Sequence, residues 1–169
     1  MHRVAEAGRR WLAPTAVAAG VALLTACSGT EPPSPPRIDP HDDTLVALGE
    51  QVYAQHCAVC HGADLEGQPD WRRRLPSGRL PAPPHDETGH TWHHPDWELY
   101  AMVRDGVTPL APPDYETDMP AYADILDDRE IRAVLAFIKA QWPEHILEMQ
   151  EAVNRRQPEP PEGVAGSPR

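Results

Sequence analysis

Cys57-Ala58-Val59-Cys60-His61 constrains this chain more than any other stretch. Two thiols three residues apart fall on one side of a single helical turn, with an imidazole beside them. The chain has three cysteines, and the third, Cys27, lies far upstream. That count excludes a multi-disulfide scaffold. A disulfide between Cys57 and Cys60 closes almost no loop and stabilises little. A zinc site needs a second ligand pair; no further cysteine remains to supply one, and His61 is badly placed to close on the same ion as Cys60. A thioredoxin-type redox pair belongs between strand and helix, and no strand pattern flanks this one.

The chemistry that fits Cys-x-x-Cys-His is attachment of haem c. Each thiol adds to one vinyl group as a thioether, and the adjacent imidazole is carried beneath the iron as an axial ligand. The cofactor-binding residues expected from the motif are therefore Cys57, Cys60 and His61, with His61 on the metal. A haem held this way cannot leave, and its apolar faces can serve a small domain as core.

The N-terminus reads as an address. Residues 1–10 carry Arg3, Arg9 and Arg10 against one acid, Glu6, and the sixteen residues from Trp11 to Ala26 carry no charge. A basic stretch, a short apolar stretch and then small residues is the order of an export signal. The apolar run is short for a membrane span, which needs about 20 residues. It ends in Leu24-Thr25-Ala26-Cys27, which resembles the bacterial lipoprotein processing site. That resemblance implies that Cys27 is lipidated and becomes the first residue of the mature chain. Acyl chains, when there are two or more, anchor a soluble domain firmly. An uncleaved membrane anchor is the alternative.

Removing residues 1–26 leaves 12 basic and 25 acidic residues, a net charge of −13. So acidic a chain is no electrostatic match for nucleic acid or an anionic lipid surface. The 21 prolines are more than twice the usual share of ~5%, and they are concentrated. Pro32, Pro33, Pro35, Pro36 and Pro40 make residues 27–41 a semi-rigid tether. Residues 154–169, rich in Pro, Glu and Gly, read as a disordered tail. The ordered domain is expected over 42–153.

Within it, Leu45, Leu48, Gly49, Val52 and Tyr53 recur with helical spacing after the acidic start Asp42-Asp43. Asp127 and Glu130 are spaced as a capping box. The helix they open has an apolar face of Ile131, Val134, Leu135, Ile138 and Trp142, and Pro143 stops it. A third helix is expected from Pro95 to Arg104, with Leu99, Met102 and Val103 inward and Gly106 as its stop. Ile146, Met149 and Val153 suggest a short helix beyond Pro143. The expected fold class is all-α.

Residues 49–62, Gly-Glu-Gln-Val-Tyr-Ala-Gln-His-Cys-Ala-Val-Cys-His-Gly, resemble the start of a bacterial class I c-type cytochrome domain. Met119-Pro120-Ala121-Tyr122, followed by residues 131–138, resembles its end. The resemblance implies a small helical domain wrapped around one covalently attached haem, with His/Met ligation and electron transfer as its work. It also implies that the first and last helices cross, with Gly49 and Tyr53 at the contact.

Of the four methionines, Met119 matches the family's sixth iron ligand. A thioether is a soft ligand for iron, and Met119 stands in a loop stiffened by Pro109, Pro112, Pro113 and Pro120. Met102 falls in a helical stripe and reads as core. A histidine ligand is the other reading, because His85, His90, His93 and His94 fall within ten residues. The same cluster could hold copper, hydrogen-bond haem propionates, or form a polar loop at the haem edge. The second ring nitrogen of an axial His is normally held by an acceptor, and in the family a proline carbonyl does this. Pro83 is the choice, with Pro69 and Pro81 open. The basic run Trp71-Arg72-Arg73-Arg74, with Arg79 nearby, reads as a solvated loop, a docking patch for an acidic partner or a counter-charge for a haem propionate.

The expected function is electron transfer by a membrane-tethered monohaem cytochrome facing the periplasm or cell exterior, an electron carrier and not an enzyme. Its partners would be exported or membrane redox proteins, with no nucleic acid. Alternatives are a haem subunit of a larger redox enzyme, or a copper-handling or gas-sensing module. No nucleophilic triad, phosphate loop or acid/base pair with a defined setting is present in the sequence.

Overall fold

Asp42 opens the first helix, α1 (Asp43–His56), by accepting from the backbone N–H groups of Thr44 and Leu45, both at 3.0 Å. These are donors that a helix start otherwise leaves unpaired. The computed structural model describes residues 37–160, with His2 apart from them. The expected signal peptide 1–26, the lipidation site Cys27 and most of the tether 27–41 and tail 154–169 lie outside the described residues. Four further helices follow: α2 (Ala58–His61), α3 (Asp96–Asp105), α4 (Asp128–Ala140) and α5 (Glu144–Arg156). Among the described residues there is no strand, so the fold is all-α.

α4 begins with a reciprocal capping box. Glu130 N–H donates to Asp127 Oδ1 at 2.8 Å, and Asp127 N–H donates to Glu130 Oε2 at 2.9 Å. Its inner face buries Ile131, Val134, Leu135 and Ile138. Each such side chain is worth about 1.5–3 kcal/mol on burial. α4 lies across α1 so closely that a Cβ on Gly49 would meet the Ala133 carbonyl oxygen at 1.9 Å. Four residues on, the Tyr53 and Phe137 rings lie 5.3 Å apart. The crossing is thus a glycine-sized approach flanked by an aromatic pair.

α3 has Pro95 as its N-cap and ends at Gly106, whose φ of 84° is one that glycine adopts without strain. It buries Trp97, Leu99, Tyr100 and Ala101, whereas Met102 and Val103 are only half-buried. Its inner face is therefore rotated from the expected Leu99, Met102, Val103 stripe.

The rotation is tied to a buried polar cluster at the start of α3. Lys139, the only lysine in the chain, is 3% exposed. Its Nζ donates to Asp96 Oδ1 at 2.7 Å and to the Ile38 carbonyl at 2.9 Å. Ile38 N–H donates to Asp96 Oδ2, and Gln150 Nε2 donates to Asp96 Oδ1. Asp96 N–H donates to Asn154 Oδ1, and Asn154 Nδ2 donates to Gln150 Oε1. A buried charge pair survives only when such bonds satisfy both partners.

This cluster moves both expected boundaries of the domain. Ile38, placed in the tether by its proline neighbours, is buried with the core. Asn154, placed in the tail, is buried in α5, which runs on to Arg156. Ile146 and Val153 face inward as expected, but Met149 is 47% exposed and Gln150 takes the inner position.

Candidate haem site

Cys57 closes α1 and opens α2 at once. Its N–H donates to Tyr53 O at 2.9 Å, while its own carbonyl accepts from Cys60 N–H at 3.1 Å and His61 N–H at 2.9 Å. The motif is therefore one helical turn set at the end of α1. Gly62 then leaves the helix at φ 83°, and its N–H donates to Ala58 O. The turn is pinned from both sides. Tyr53 hydroxyl donates to Gly62 O at 2.9 Å, and Gly67 N–H donates to His61 O at 2.7 Å.

Cys57 and Cys60 are free thiols on that turn. Cys57 is half-buried and Cys60 exposed, beside Val59 at 85% exposure. Burial, with Cys60 as a second cause, pushes the Cys57 thiol up to about 11. Burial likewise raises Tyr53 and Tyr122, and Cys57 adds to both shifts.

His61 is buried, and its Nδ1 lies 2.9 Å from Pro83 O. A carbonyl can only accept, so Nδ1 carries the proton, and Nε2 of the neutral ring keeps its lone pair. Burial lowers the His61 pKa, and the Pro83 hydrogen bond opposes that without reversing it. The imidazole is thus neutral and presents the nitrogen that a metal needs. Two unpaired thiols and one lone-pair imidazole on a single turn fit haem c: Cys57 and Cys60 would hold it, and His61 would ligate its iron.

Pro83, and not Pro69 or Pro81, presents its carbonyl to His61. Two short pairings bring it there: Gln68 N–H to Ala82 O at 2.9 Å, and His85 N–H to Leu65 O at 2.8 Å. A Cβ on Gly67 would strike the Pro83 carbonyl carbon at 2.6 Å, and Gly67 has φ 67°. Only glycine lets the two segments close.

The four clustered histidines divide. The His85 ring stacks on His61, centroids 4.0 Å apart and planes 20° apart. The Nδ1 of the His85 ring is 2.8 Å from Thr91 Oγ1. His90 stacks on Trp71, His93 stacks on Trp92, and His94 Nδ1 pairs with Glu98 at 3.2 Å. Among the described residues, no three His, Cys, Asp or Glu converge to hold a further metal ion.

Met119 is half-buried and is carried by a stitched loop. Its N–H donates to Thr117 Oγ1 at 3.1 Å. Tyr122 and Ala123 N–H donate to Val103 O and Arg104 O at the end of α3, both at 3.0 Å. Tyr122 hydroxyl donates to His56 O, the residue before Cys57, at 2.9 Å. Arg79 pairs with Asp118, next to Met119, and with Glu116. Arg72, Arg73 and Arg74 are exposed, as a solvated loop requires, with Arg72 over the Trp71 ring at 4.1 Å and Arg74 Nη1 donating to Gly78 O.

The sequence assigns no role to Thr91 or the Tyr122 hydroxyl, and it does not reveal that His85 stacks on His61. Nothing in local spacing marks these residues: the Tyr122 hydroxyl and the His85 ring meet partners far along the chain, and Thr91 acts through His85.

The family model for Cytochrome c matches residues 46–142, more than half of the chain. The match runs from within α1 to just past α4 and includes the motif turn, Pro83 and Met119. No curated protein and no solved structure matches this chain. A family defined by covalent haem c accounts for a turn whose thiols are unpaired and whose imidazole keeps a free lone pair, and this chain belongs to the cytochrome c family.

Proposed function

We propose that this cytochrome c is an exported, lipid-anchored electron carrier whose iron is held between His61 and Met119. Haem c, when bound, supplies an iron that passes between ferrous and ferric states. Cys57 and Cys60 bind its edge covalently. His61 gives Nε2 to the metal while Pro83 holds the ring by Nδ1. The observation that carries this reading is that hydrogen bond, 2.9 Å long, on the same turn as two free thiols.

Support for Met119 as the second ligand comes from its loop. Tyr122 ties that loop to the end of α1, and Val103 and Arg104 tie it to α3. A weak thioether ligand benefits from a loop with little freedom to withdraw. Support for export and anchoring comes from the basic-then-apolar order of residues 1–26 and from Leu24-Thr25-Ala26-Cys27. Among the described residues, no helix is long and apolar enough to cross a membrane.

The test is spectroscopic. Ferric holoprotein should have the weak far-red charge-transfer band of a thioether ligand, and the reduced protein should bind carbon monoxide poorly. Met119→Ala should abolish the band, admit carbon monoxide and lower the potential, whereas Met102→Leu should keep the band. If one of His90→Ala, His93→Ala or His94→Ala opens the iron and Met119→Ala does not, the Met119 assignment is wrong.

A further inference from the structure

The His61 ring is held at one point by Pro83. One hydrogen bond fixes the position of Nδ1 but leaves the ring free to tilt and turn about the line to its acceptor. A second contact, over the face of the ring, would remove that freedom, and His85 makes one. Its ring lies 4.0 Å from the His61 ring at 20° to it, an arrangement close to parallel stacking.

His85 is itself fixed from several directions. Its Nδ1 is 2.8 Å from Thr91 Oγ1. Its N–H donates to Leu65 O at 2.8 Å, and its carbonyl accepts from Trp142 Nε1 at 2.7 Å. The Tyr53 ring meets it edge-on, with centroids 6.4 Å apart. Thr91 is buried at the head of a single 3-10 turn, Thr91–His93. Leu65, Trp142 and Tyr53 come from separate stretches of the chain and Thr91 from six residues further along the same loop, so His85 is held by the fold as well as by its own loop. Pro83 and His85 are also two residues apart. One short segment therefore supplies both the carbonyl that meets the edge of His61 and the ring that covers its face.

We propose that His85, held by Thr91, is a positioning residue that sets the plane of the axial His61 imidazole. The proposal rests on the reading of His61 as an iron ligand. The orientation of an axial imidazole decides which iron orbital its π system meets. That orientation governs the g-anisotropy of the ferric ion and the spread of the haem-methyl proton shifts. A ring free to turn averages these differences, and a ring held in one plane keeps them.

The experiment uses ferric holoprotein and three variants, His85→Ala, His85→Phe and Thr91→Val, compared by electron paramagnetic resonance and proton NMR. Wild type should have a wide, well-resolved methyl spread. His85→Ala should contract that spread and broaden the g signal. His85→Phe should restore most of the wild-type pattern, because a phenyl ring can stack without the Thr91 bond. Thr91→Val should shift the pattern part of the way towards His85→Ala with helical circular dichroism unchanged. Should His85→Ala fail to fold, Thr91→Val and His85→Phe carry the test. Methyl shifts and g values that stay at wild type in Thr91→Val and in any folded His85→Ala would overturn the proposal. So would His85→Phe giving the same collapse as His85→Ala. Electron spin echo modulation on the wild type tests the underlying reading separately. Absence of a bound imidazole nitrogen there would sink the assignment of His61, and its presence with unmoved variants would sink the positioning role alone.

Discussion

Replacing Gly49 by alanine tests the helix crossing on which the haem-bearing turn is built. The added methyl would sit 1.9 Å from Ala133 O, 2.5 Å from Ala133 C and 2.8 Å from Phe137 Cβ. Ordinary contact needs about 3.5 Å, so α1 and α4 must part by roughly 1.5 Å at this point. The obstacle is backbone, which cannot rotate aside as a side chain can. Overpacking a core costs about 1–3 kcal/mol, and a backbone clash belongs at the upper end, about 3 kcal/mol. Alanine returns about 1 kcal/mol of helix propensity. The net loss should be about 2 kcal/mol. For a domain of this size that lowers Tm by about 8 °C. Far-ultraviolet circular dichroism of holoprotein during heating and during guanidinium unfolding measures both. Ala47→Gly, on the exposed face of α1, calibrates propensity alone and should cost about 1 kcal/mol. A Gly49→Ala protein as stable as wild type, or more so, would refute the reasoning, because it would mean that propensity outweighs the contact with Ala133.

Three other outcomes are expected. Lys139→Met leaves the Asp96 carboxylate buried without its cation and should cost about 3–5 kcal/mol, read as a lower urea midpoint; a loss under about 1 kcal/mol would contradict the buried pair. Tyr53 has its pKa raised by burial, with the carboxylates of Glu66 and Asp86 adding in the haem-attached protein, so above about pH 10 the unfolded chain gives up that proton first and stability falls as pH rises. Tyr53→Phe should flatten that alkaline slope in stability-versus-pH curves, at a cost of about 1 kcal/mol for the lost bond to Gly62, and an unchanged slope would count against it. Cys27→Ser should move the protein from the membrane fraction to the soluble exported fraction; retention with the N-terminus intact would favour an uncleaved anchor.

The parts of this fold that were legible in the sequence are those set by local chemistry. Asp42 caps α1, and Asp127 with Glu130 caps α4, because a short side chain reaches backbone donors two or three residues away. The Cys57–His61 turn is legible for the same reason. What was not legible depends on polar groups that only the fold brings together. Gln150 and Asn154 occupy the inner face of α5, where hydropathy alone favours Met149. They are there because Asp96 and Lys139, distant in sequence, need partners once buried. Ile38 was hidden among prolines whose composition signals a solvated strand of chain, yet its own backbone completes the same cluster. Resemblance favours Pro83 and leaves Pro69 and Pro81 open, because what decides among the three is that residues 65–68 and 82–85 lie side by side, which depends on Gly67 and cannot be read from spacing.

The grip on Ile38 has a mechanical consequence. Tension arriving along the chain from the residues before Arg37 reaches Ile38 before it reaches α1. There the amide is held by Asp96 and the carbonyl by Lys139. The load then divides into α3 and α4, the helices that carry those two side chains. Asp42 and α1, with the motif turn at its far end, stand behind that fastening and are shielded from the pull. A single-molecule experiment drawing on the N-terminus should therefore register rupture of the Arg37–Glu151 pair and the Ile38 clasp before α1 moves, with the iron's spectrum unchanged until α1 itself is peeled from α4.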